Sequence, residues 1–175
     1  MRHTSDTIRI DHVVIAILRH ADQIVMVQQL TPHDHQPYWV LPGGLVEAGE
    51  LLTEAIIREV QEEVGVHVTA IGAIVGVSQI DRPAQTAQTL SFLVEVAHWQ
   101  SALQCQDPDG EVHSVELVAQ EEAISRLQRN GAWPGMRELL LAYLRKEVQA
   151  GTMWFYRERA DGQQLLGTLP PARNA

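Results

Sequence analysis

The most regular pattern in the chain is an apolar residue at every fourth position near the end of its first third. The repeating residues are Leu52, Ile56, Val60 and Val64. A spacing close to the α-helical period predicts a helix that buries one stripe of side chains. Gly65 follows the last apolar residue, where helices commonly end in the left-handed conformation. The pattern therefore predicts a helix from about Glu50 to Val64.

Six other segments are rich in β-branched and apolar residues, which favours β-strands. They span residues 8–18, 24–30, 38–41, 66–77, 88–99 and 111–118. The polar stretches between them predict turns or loops, at residues 19–23, 31–37, 78–87 and 98–110. A short helix is predicted from Ala119 or Gln120, and a last one is opened by Trp133-Pro134 and reaches Val148. The periodicities thus predict mixed strands and helices.

Residues 151–175 differ from the rest of the chain. The apolar run Met153–Tyr156 is followed by a polar stretch that contains glycine and proline. We therefore divide the chain into a domain at residues 1–150 and a C-terminal extension at residues 151–175. The extension either packs on the domain as an added strand or forms a dimer contact, so a monomer and a homodimer both stay open. Deleting residues 151–175 and measuring the mass by light scattering would separate these alternatives.

Composition narrows the class of protein. The 175 residues suit one domain, or one domain with a tail. A net charge of −9 argues against a nucleic-acid backbone or an anionic membrane as the main partner. No apolar run approaches the roughly 20 residues of a membrane span, and the polar N-terminus lacks a signal-peptide core. Cys105 is the single cysteine, which excludes an internal disulfide and favours a cytoplasmic location.

Three glutamates share one side of the predicted helix. Glu62 and Glu63 follow Glu59 by one turn, so the three carboxylates fall within an arc of roughly 100°. Like charges at these spacings destabilise a helix by about 0.2–0.5 kcal/mol per pair. Arg58 can supply a counter-charge by reaching Glu62. The remaining negative charge suits a hard divalent cation, and Mg²⁺ usually completes its coordination with water and substrate phosphates.

A solvated acidic helix face is the simplest alternative. It is the ordinary explanation for two adjacent glutamates. It leaves the fixed spacing of Gly44, Glu50, Arg58 and Gly65 unexplained, because a solvated face requires none of these residues.

The segment Gly44–Val66 has the form G-x5-E-x7-R-E-V-x-E-E-x-G-V. It resembles the Nudix box, G-x5-E-x7-R-E-U-x-E-E-x-G-U with U apolar, and matches it at every fixed position. The flanking strands and turns extend the resemblance over most of residues 8–148. The resemblance implies an α/β fold in which a mixed β-sheet is sandwiched between α-helices. It also identifies residues 1–150 as a Nudix hydrolase domain.

The resemblance further implies roles for the charged residues of the box. Glu59, Glu62 and Glu63 are the implied metal ligands, and one of them can double as the catalytic base. Arg58 orients these glutamates, and Glu50 assists at the metal site or holds the loop. The implied cofactor is Mg²⁺, for which Mn²⁺ can substitute.

Two further ligands complete the metal site implied by the resemblance. One is the carbonyl oxygen of Gly43, directly before the box residue Gly44. The other is an acidic side chain on a variable later loop. Glu111 is the first candidate for it, with Asp109 and Glu116 as alternatives.

The turn Pro42-Gly43-Gly44 and a later arginine are candidate substrate contacts. Glycine lets the backbone approach a ligand closely, which makes Gly44 a candidate. Arg82 lies in a predicted loop where it can contact phosphate, and an exposed arginine without such a role is the alternative. Many Nudix enzymes carry a phosphate-binding arginine near the end of the second strand, whereas this chain has Gln28 and Gln29 there.

The loop at residues 31–37 contains His33, Asp34 and His35 and leads into that turn. We interpret it as a solvated loop, because a transition-metal site normally needs further ligands on rigid structure. A second hypothesis places the loop against the non-phosphate part of the substrate, with His35 as the contact. Unchanged KM values after His33→Ala and His35→Ala would exclude it. Trp39 is either a core residue or a platform for a base.

The function implied by the resemblance is Mg²⁺-dependent hydrolysis of a phosphoanhydride in a nucleoside diphosphate linked to another moiety. Nucleoside triphosphates, oxidised ones included, form the first substrate class. ADP-ribose, nucleotide sugars and dinucleotides form the second. A nucleotide-sensing module without catalysis is the alternative from a different class. Such modules usually have a damaged box, whereas this one is intact.

Overall fold

The structure, a computed structural model, describes residues 7–31, 35–106, 108, 110–130 and 134–170. Its strands are β1 (Arg9–His20), β2 (Gln23–Leu30), β3 (Pro37–Val40), β4 (Gly43–Leu45), β5 (His67–Arg82), β6 (Ala87–Gln100), β7 (Val112–Ala119), β8 (Thr152–Arg159) and β9 (Gly162–Leu169). Its helices are α1 (Leu52–Val64), α2 (Gln120–Asn130) and α3 (Pro134–Leu144). None of these described helices has the length and apolar character needed to span a membrane. The predicted end of α1 is confirmed, since Gly65 has the left-handed φ of 74°.

The described strands form one mixed sheet that divides at the β1–β2 hairpin. Its order is β3-β2-β1-β6-β5-β8-β9, with β4 paired to β1 and β7 paired to β2. β1 and β2 pair only beside their turn, through Arg19 with Ile24 and His20 with Gln23. Beyond that point β1 pairs with β4 and β6, whereas β2 pairs with β3 and β7. The two parts of the sheet therefore diverge, and β4 follows β1 along the opening.

Alternate residues of β1 supply hydrophobic cores on the two faces of the sheet. Val14, Ala16 and Leu18 join a core that includes the buried side of α1. Ile15 and Ile17 join a second core with α2 and α3. This division follows from the alternation of side chains along a strand. The helices cover both faces, which confirms the predicted mixed sheet between α-helices.

Three predicted boundaries are wrong. The first half of the predicted loop at residues 78–87 continues β5 and pairs with β6, because Ser78 and Ile80 are almost completely buried between neighbouring strands. The polar composition of this stretch concealed a strand whose backbone is paired on both sides. Residues 98 and 99, which the patterns place both in a strand and in a loop, belong with Gln100 to the end of β6, and α3 ends at Leu144, before the predicted Val148.

Residues 152–169 add two strands to the sheet. β8 pairs with β5 in parallel, and β9 pairs with β8 in the antiparallel direction. Tyr156 of β8 is 2% exposed, and its hydroxyl donates a hydrogen bond to Oε2 of Glu138 on α3 at 2.9 Å. Burial, followed by the contact with Glu138, raises the pKa of the Tyr156 hydroxyl above its ordinary value. This tyrosine therefore joins the added strands to α3.

Replacing Tyr156 with alanine is expected to lower the free energy of unfolding by about 3–5 kcal/mol, as for other fully buried aromatic residues. The substitution removes the packing against α3 and leaves a cavity. Urea unfolding monitored by circular dichroism measures the effect. Leu166→Ala is the control, because Leu166 of β9 is half exposed, and we expect a change within about 0.5 kcal/mol there. Equal, small effects at both positions would contradict the observed packing of β8.

Candidate active site

Two glycines of β4 lie where a Cβ atom would meet neighbouring atoms. Gly43 pairs with Ile15 and has a φ of 150°. A Cβ on Gly43 would lie 2.0 Å from the carbonyl oxygen of Val14. A Cβ on Gly44 would lie 2.3 Å from Oε1 of Glu59 on α1. The glycines therefore allow β1, β4 and the acidic side of α1 to come close together.

Four glutamates form what we call the acidic cluster, namely Glu50, Glu59, Glu62 and Glu63. Arg58 of α1 binds three of them. Its Nε and Nη2 donate to the two oxygens of Glu50, at 2.9 and 3.0 Å. Its Nη1 donates to Oε1 of Glu59 at 2.9 Å and to Oε2 of Glu62 at 3.2 Å. One guanidinium thus fixes three carboxylates, and the contact expected between Arg58 and Glu62 is present.

Glu63 has different partners and is only 5% exposed. Its Oε2 accepts a hydrogen bond from the backbone N–H of Gly43 at 2.8 Å. Its Oε1 accepts one from Nε2 of Gln29 at 3.0 Å. Oε1 of Gln29 in turn accepts a hydrogen bond from the hydroxyl of Tyr38 at 2.8 Å. This chain of contacts connects the acidic cluster to β2, β3 and β4.

Gln29 and Tyr38 belong to the site, although the sequence predicts no contact of either residue with the glutamates. The signal for Gln29 is its position at the end of β2, where a phosphate-binding arginine is expected and glutamine occurs. No pattern marks Tyr38, since it reads as part of a short apolar strand. Their contact with Glu63 depends on how β2, β3 and α1 meet in three dimensions.

Burial and Arg58 move the pKa values of neighbouring carboxylates in opposite directions. Burial raises the pKa of Glu59, although the hydrogen bond from Arg58 opposes the shift. The hydrogen bonds from Arg58 lower the pKa of Glu50 below its ordinary value. Two carboxylates on one arginine therefore differ in basicity, and Glu59 is the better proton acceptor of the two.

A cavity of about 590 Å³ adjoins the glycines of β4. Its walls come from both parts of the divided sheet and from Met136 of α3. Five of the predicted site residues line it, namely His35, Gly43, Gly44, Arg82 and Glu111. Gly43 and Gly44 contact the acidic cluster as well, through the hydrogen bond to Glu63 and the close approach to Glu59. The two glycines are therefore common to the cavity and the cluster.

The structure separates the candidates for the additional acidic residue. Glu111 is exposed at the cavity, and its charge contributes, after burial, to the raised pKa of Tyr38. Glu116 instead forms an ion pair with Arg126 at 2.8 Å. The guanidinium of Arg126 also lies 4.1 Å from the ring centre of Trp39, which packs against the second core. Three predicted candidates lie outside the described residues: His33, Asp34 and Asp109.

The oxygen donors of the acidic cluster fit a hard divalent cation. Among the described residues, no group of three Asp, Glu, His or Cys side chains is already arranged to hold a metal ion. Mg²⁺ requires only one or two carboxylates when water and phosphate complete its coordination. The Glu62 side chain is 37% exposed, and Glu59 lies next to it on the same surface of α1. Glu59 and Glu62 therefore supply two neighbouring carboxylates, the number that this requirement calls for.

Gly44→Ala tests the contact between β4 and the acidic cluster. The new Cβ would meet the flexible end of Glu59, so we expect the fold to survive and the carboxylate to be displaced. A displacement of about 1 Å at a catalytic centre can lower the rate by about 10²-fold. The measurements are kcat and the melting temperature. Gly167→Ala is the control, because no atom lies within 4 Å of a Cβ at that position. Wild-type kcat in Gly44→Ala would contradict the expected displacement.

A family model described as the NUDIX domain matches residues 9–143. The chain belongs to the Nudix family. The match runs from β1 to α3 and includes the acidic cluster, both glycines of β4 and most of the cavity wall. The resemblance of the segment Gly44–Val66 to the Nudix box is thereby confirmed.

Relatives of this Nudix protein are named as diphosphatases. A putative 8-oxo-dGTP diphosphatase of Bacillus subtilis is 39% identical over 79 residues, which cover 45% of this chain and 48% of that protein. The 8-oxo-dGTP diphosphatase of Proteus vulgaris is 31% identical over 93 residues, which cover 53% of this chain and 80% of that protein. The match thus spans about half the length of the Bacillus relative. These names confirm, for the family, the predicted class of hydrolases acting on phosphoanhydrides.

A solved structure shares the architecture of this Nudix protein. The solution structure of the E. coli ORF135 protein has a TM-score of 0.64 and 26% identity, covering 79% of this chain and 91% of that chain. Together with the match of residues 9–143 to the NUDIX domain, this likeness confirms the predicted Nudix fold. Other relatives with short matches are named for CTP or for NAD-capped RNA, so the substrates named for relatives are diverse.

Proposed function

We propose that this Nudix protein is a Mg²⁺-dependent pyrophosphohydrolase that cleaves a phosphoanhydride bond of a nucleoside triphosphate, oxidised forms included. One observation carries the proposal: Gly43 and Gly44 contact both the acidic cluster and the cavity. A nucleotide with its base in the cavity would place its phosphates over these glycines and against α1. Such a position puts the scissile bond beside the carboxylates.

Substrate phosphates beside the glutamates of α1 need nearby positive charge, because the phosphates and the carboxylates repel each other. Glu59, Glu62 and Glu63 would hold Mg²⁺, with the carbonyl oxygen of Gly43 and the carboxylate of Glu111 as further candidate ligands. When bound, the ion supplies positive charge against phosphate oxygens and makes a neighbouring water more acidic. Arg82 lines the cavity three strand spacings from the glycines of β4, so we place it against the part of the nucleotide that lies farthest from the phosphates. The net charge of −9 makes bound Mg²⁺ necessary at the phosphates, because the protein as a whole repels an anion.

The remaining residues of the cluster have positioning roles in this proposal. Arg58 donates to Glu50, Glu59 and Glu62, so its hydrogen bonds hold carboxylates and not substrate. Gln29 and the backbone of Gly43 orient Glu63. A carboxylate of the cluster accepts a proton from the attacking water.

The names of two relatives support a triphosphate over the second substrate class. Both the Bacillus and the Proteus proteins are named for 8-oxo-dGTP. We therefore place nucleoside triphosphates first, and ADP-ribose, nucleotide sugars and dinucleotides second.

Hydrolysis of a nucleotide panel tests the proposal. The panel contains the common nucleoside triphosphates, 8-oxo-dGTP, ADP-ribose and NADH, each with Mg²⁺ and with EDTA. We expect a triphosphate to yield a nucleoside monophosphate and pyrophosphate, and EDTA to abolish the reaction. Cleavage of ADP-ribose or NADH alone would favour the second substrate class. Binding without any product would favour a nucleotide-sensing module.

A further inference from the structure

Three buried polar atoms lie in one row across β6, β5 and β8. They are Oγ of Ser91, Oγ of Ser78 and Nε1 of Trp154, and none has a hydrogen-bond partner within the described part of the chain. The strand register places Ser78 opposite Ser91, and Trp154 beside Ser78. Partners in register project from the same face of a sheet. The row therefore faces the side of the sheet that α3 covers.

Ser91 is the member of this row that reaches the cavity. It is 2% exposed and belongs to the cavity wall, as does Thr89 on the same face of β6. Ser78 is completely buried and does not contribute to that wall. A buried hydroxyl without a partner is costly, so native proteins keep few of them. A ligand in the cavity can supply the missing partner of Ser91 but cannot reach Ser78.

The position of Ser91 identifies the part of the substrate that it would contact. β4 and β6 lie on opposite sides of β1, so two strand spacings, roughly 10 Å, separate Ser91 from the glycines. The phosphates lie over those glycines in the proposed function. Asp11 is in register with Thr89 and lines the same wall, where its carboxylate can accept hydrogen bonds. A nucleobase fits this wall because it offers neutral donors and acceptors along its edge.

We infer that Ser91 is a specificity-determining residue that hydrogen-bonds the polar edge of the substrate's nucleobase, with Asp11 as a neighbouring acceptor for its N–H groups. Asp11 is held in place by Arg9, whose Nε donates to Oδ2 of Asp11 at 3.1 Å. The inference rests on the proposed function and adds the part of the nucleotide that the cavity selects. Sites built to hydrogen-bond a substrate group reject analogues that lack it more strongly than apolar pockets do.

The test compares Ser91→Ala with Ser78→Ala, which removes an equivalent buried hydroxyl outside the cavity. Isothermal titration calorimetry without metal measures the binding of AMP, GMP, CMP and UMP, and kcat/KM is measured for the matching triphosphates.

Ser91→Ala should lower the affinity for the preferred mononucleotide about tenfold, or about 1.4 kcal/mol, and should reduce the differences in affinity between bases. Ser78→Ala should keep the wild-type values. Loss of an unsatisfied hydroxyl should not destabilise either variant, and Ser91→Cys preserves the shape if Ser91→Ala fails to fold.

The outcomes separate this inference from the proposed function. An unchanged ranking of bases in Ser91→Ala, or equal effects of both alanine variants, would overturn the role of Ser91 and leave the hydrolase intact. A different outcome is wild-type protein that binds mononucleotides with a preferred base and cleaves no triphosphate; that result would overturn the proposed function. A loss of binding in Ser91→Ala would still support the contact between Ser91 and the base in that case. Wild-type protein that binds none of the four would overturn the inference.

Discussion

Glu62→Gln is expected to reduce kcat by about 10²- to 10³-fold, the loss typical of removing one charge-stabilising group from a catalytic centre. Glutamine has the size of glutamate, but its neutral amide lacks the anionic oxygen that the proposed function assigns to Mg²⁺. The Glu62 side chain is 37% exposed, so the effect falls on chemistry and not on packing. The measurements are kcat at saturating nucleotide and Mg²⁺, and the melting temperature.

Glu63→Gln should lose activity and some stability as well. Both oxygens of Glu63 accept hydrogen bonds from N–H donors, one on Gly43 and one on Gln29. The amide nitrogen of a glutamine would turn a donor toward one of these donors. Glu121→Gln, at an exposed position of α2, is the control and should keep wild-type kcat. Near wild-type turnover in pure, folded Glu62→Gln with Mg²⁺ present would refute the assignment of Glu62.

Arg58→Lys is expected to lower both activity and stability, although it keeps the positive charge. A lysine ammonium is a compact charge without the planar fork that contacts Glu50, Glu59 and Glu62 at once. Breaking a buried ion pair costs about 3–5 kcal/mol, and we expect less here because the Arg58 side chain is 25% exposed. We expect kcat to fall by about 10²-fold, as for other displaced catalytic groups.

Separating the two effects requires kcat at a temperature where the variant remains folded, together with urea unfolding. Arg129→Lys is the matched control, because Arg129 is an exposed arginine that contacts Glu122 at 3.4 Å on α2. We expect that control to match the wild type. An Arg58→Lys enzyme with unchanged kcat would show that the fork of hydrogen bonds is unnecessary for positioning the acids.

The pH dependence of stability provides a further measurement on the same variant. Hydrogen bonds from Arg58 lower the pKa of Glu50 in the folded protein. A carboxylate with a lowered pKa stabilises the fold above its unfolded-state pKa of about 4.3, and this contribution is lost as the pH falls through the folded-state value. We therefore expect the free energy of unfolding to decrease below about pH 5, and to decrease less in Arg58→Lys.

The sequence predicts the local parts of this molecule well because they depend on neighbouring residues. The helical period, the glycine after Val64 and the one-turn spacing of Arg58 and Glu62 all concern contacts within a few residues. The contact between Gln29 and Glu63 joins β2 to α1 across distant parts of the chain, so no local pattern reports it. The same is true of β8, whose parallel partner β5 lies on the far side of α2 and α3 in sequence.

The stretch Ser78–Asp81 shows a second limit of prediction from sequence. Its serine, glutamine and aspartate residues resemble a loop, yet neighbouring strands pair with its backbone on both sides. The composition of a segment indicates how favourably its side chains interact with water. It does not indicate which of its backbone groups form hydrogen bonds with neighbouring strands. The polar row of Ser91, Ser78 and Trp154 is concealed for the same reason, because only the strand register brings these residues together.

We expect the parallel pairing of β1 with β6 to determine when the protein becomes active during refolding. The hairpins β5–β6 and β8–β9 join neighbouring segments and can form early, whereas β1 must close a long loop of chain to reach β6. That loop contains α1 and β4, so the glutamates and the glycines meet the part of the cavity wall on β6 only after closure. Non-local pairings of this kind slow folding into the millisecond-to-second range. We expect recovery of enzymatic activity to follow the slowest spectroscopic phase and to lag behind the return of helical signal.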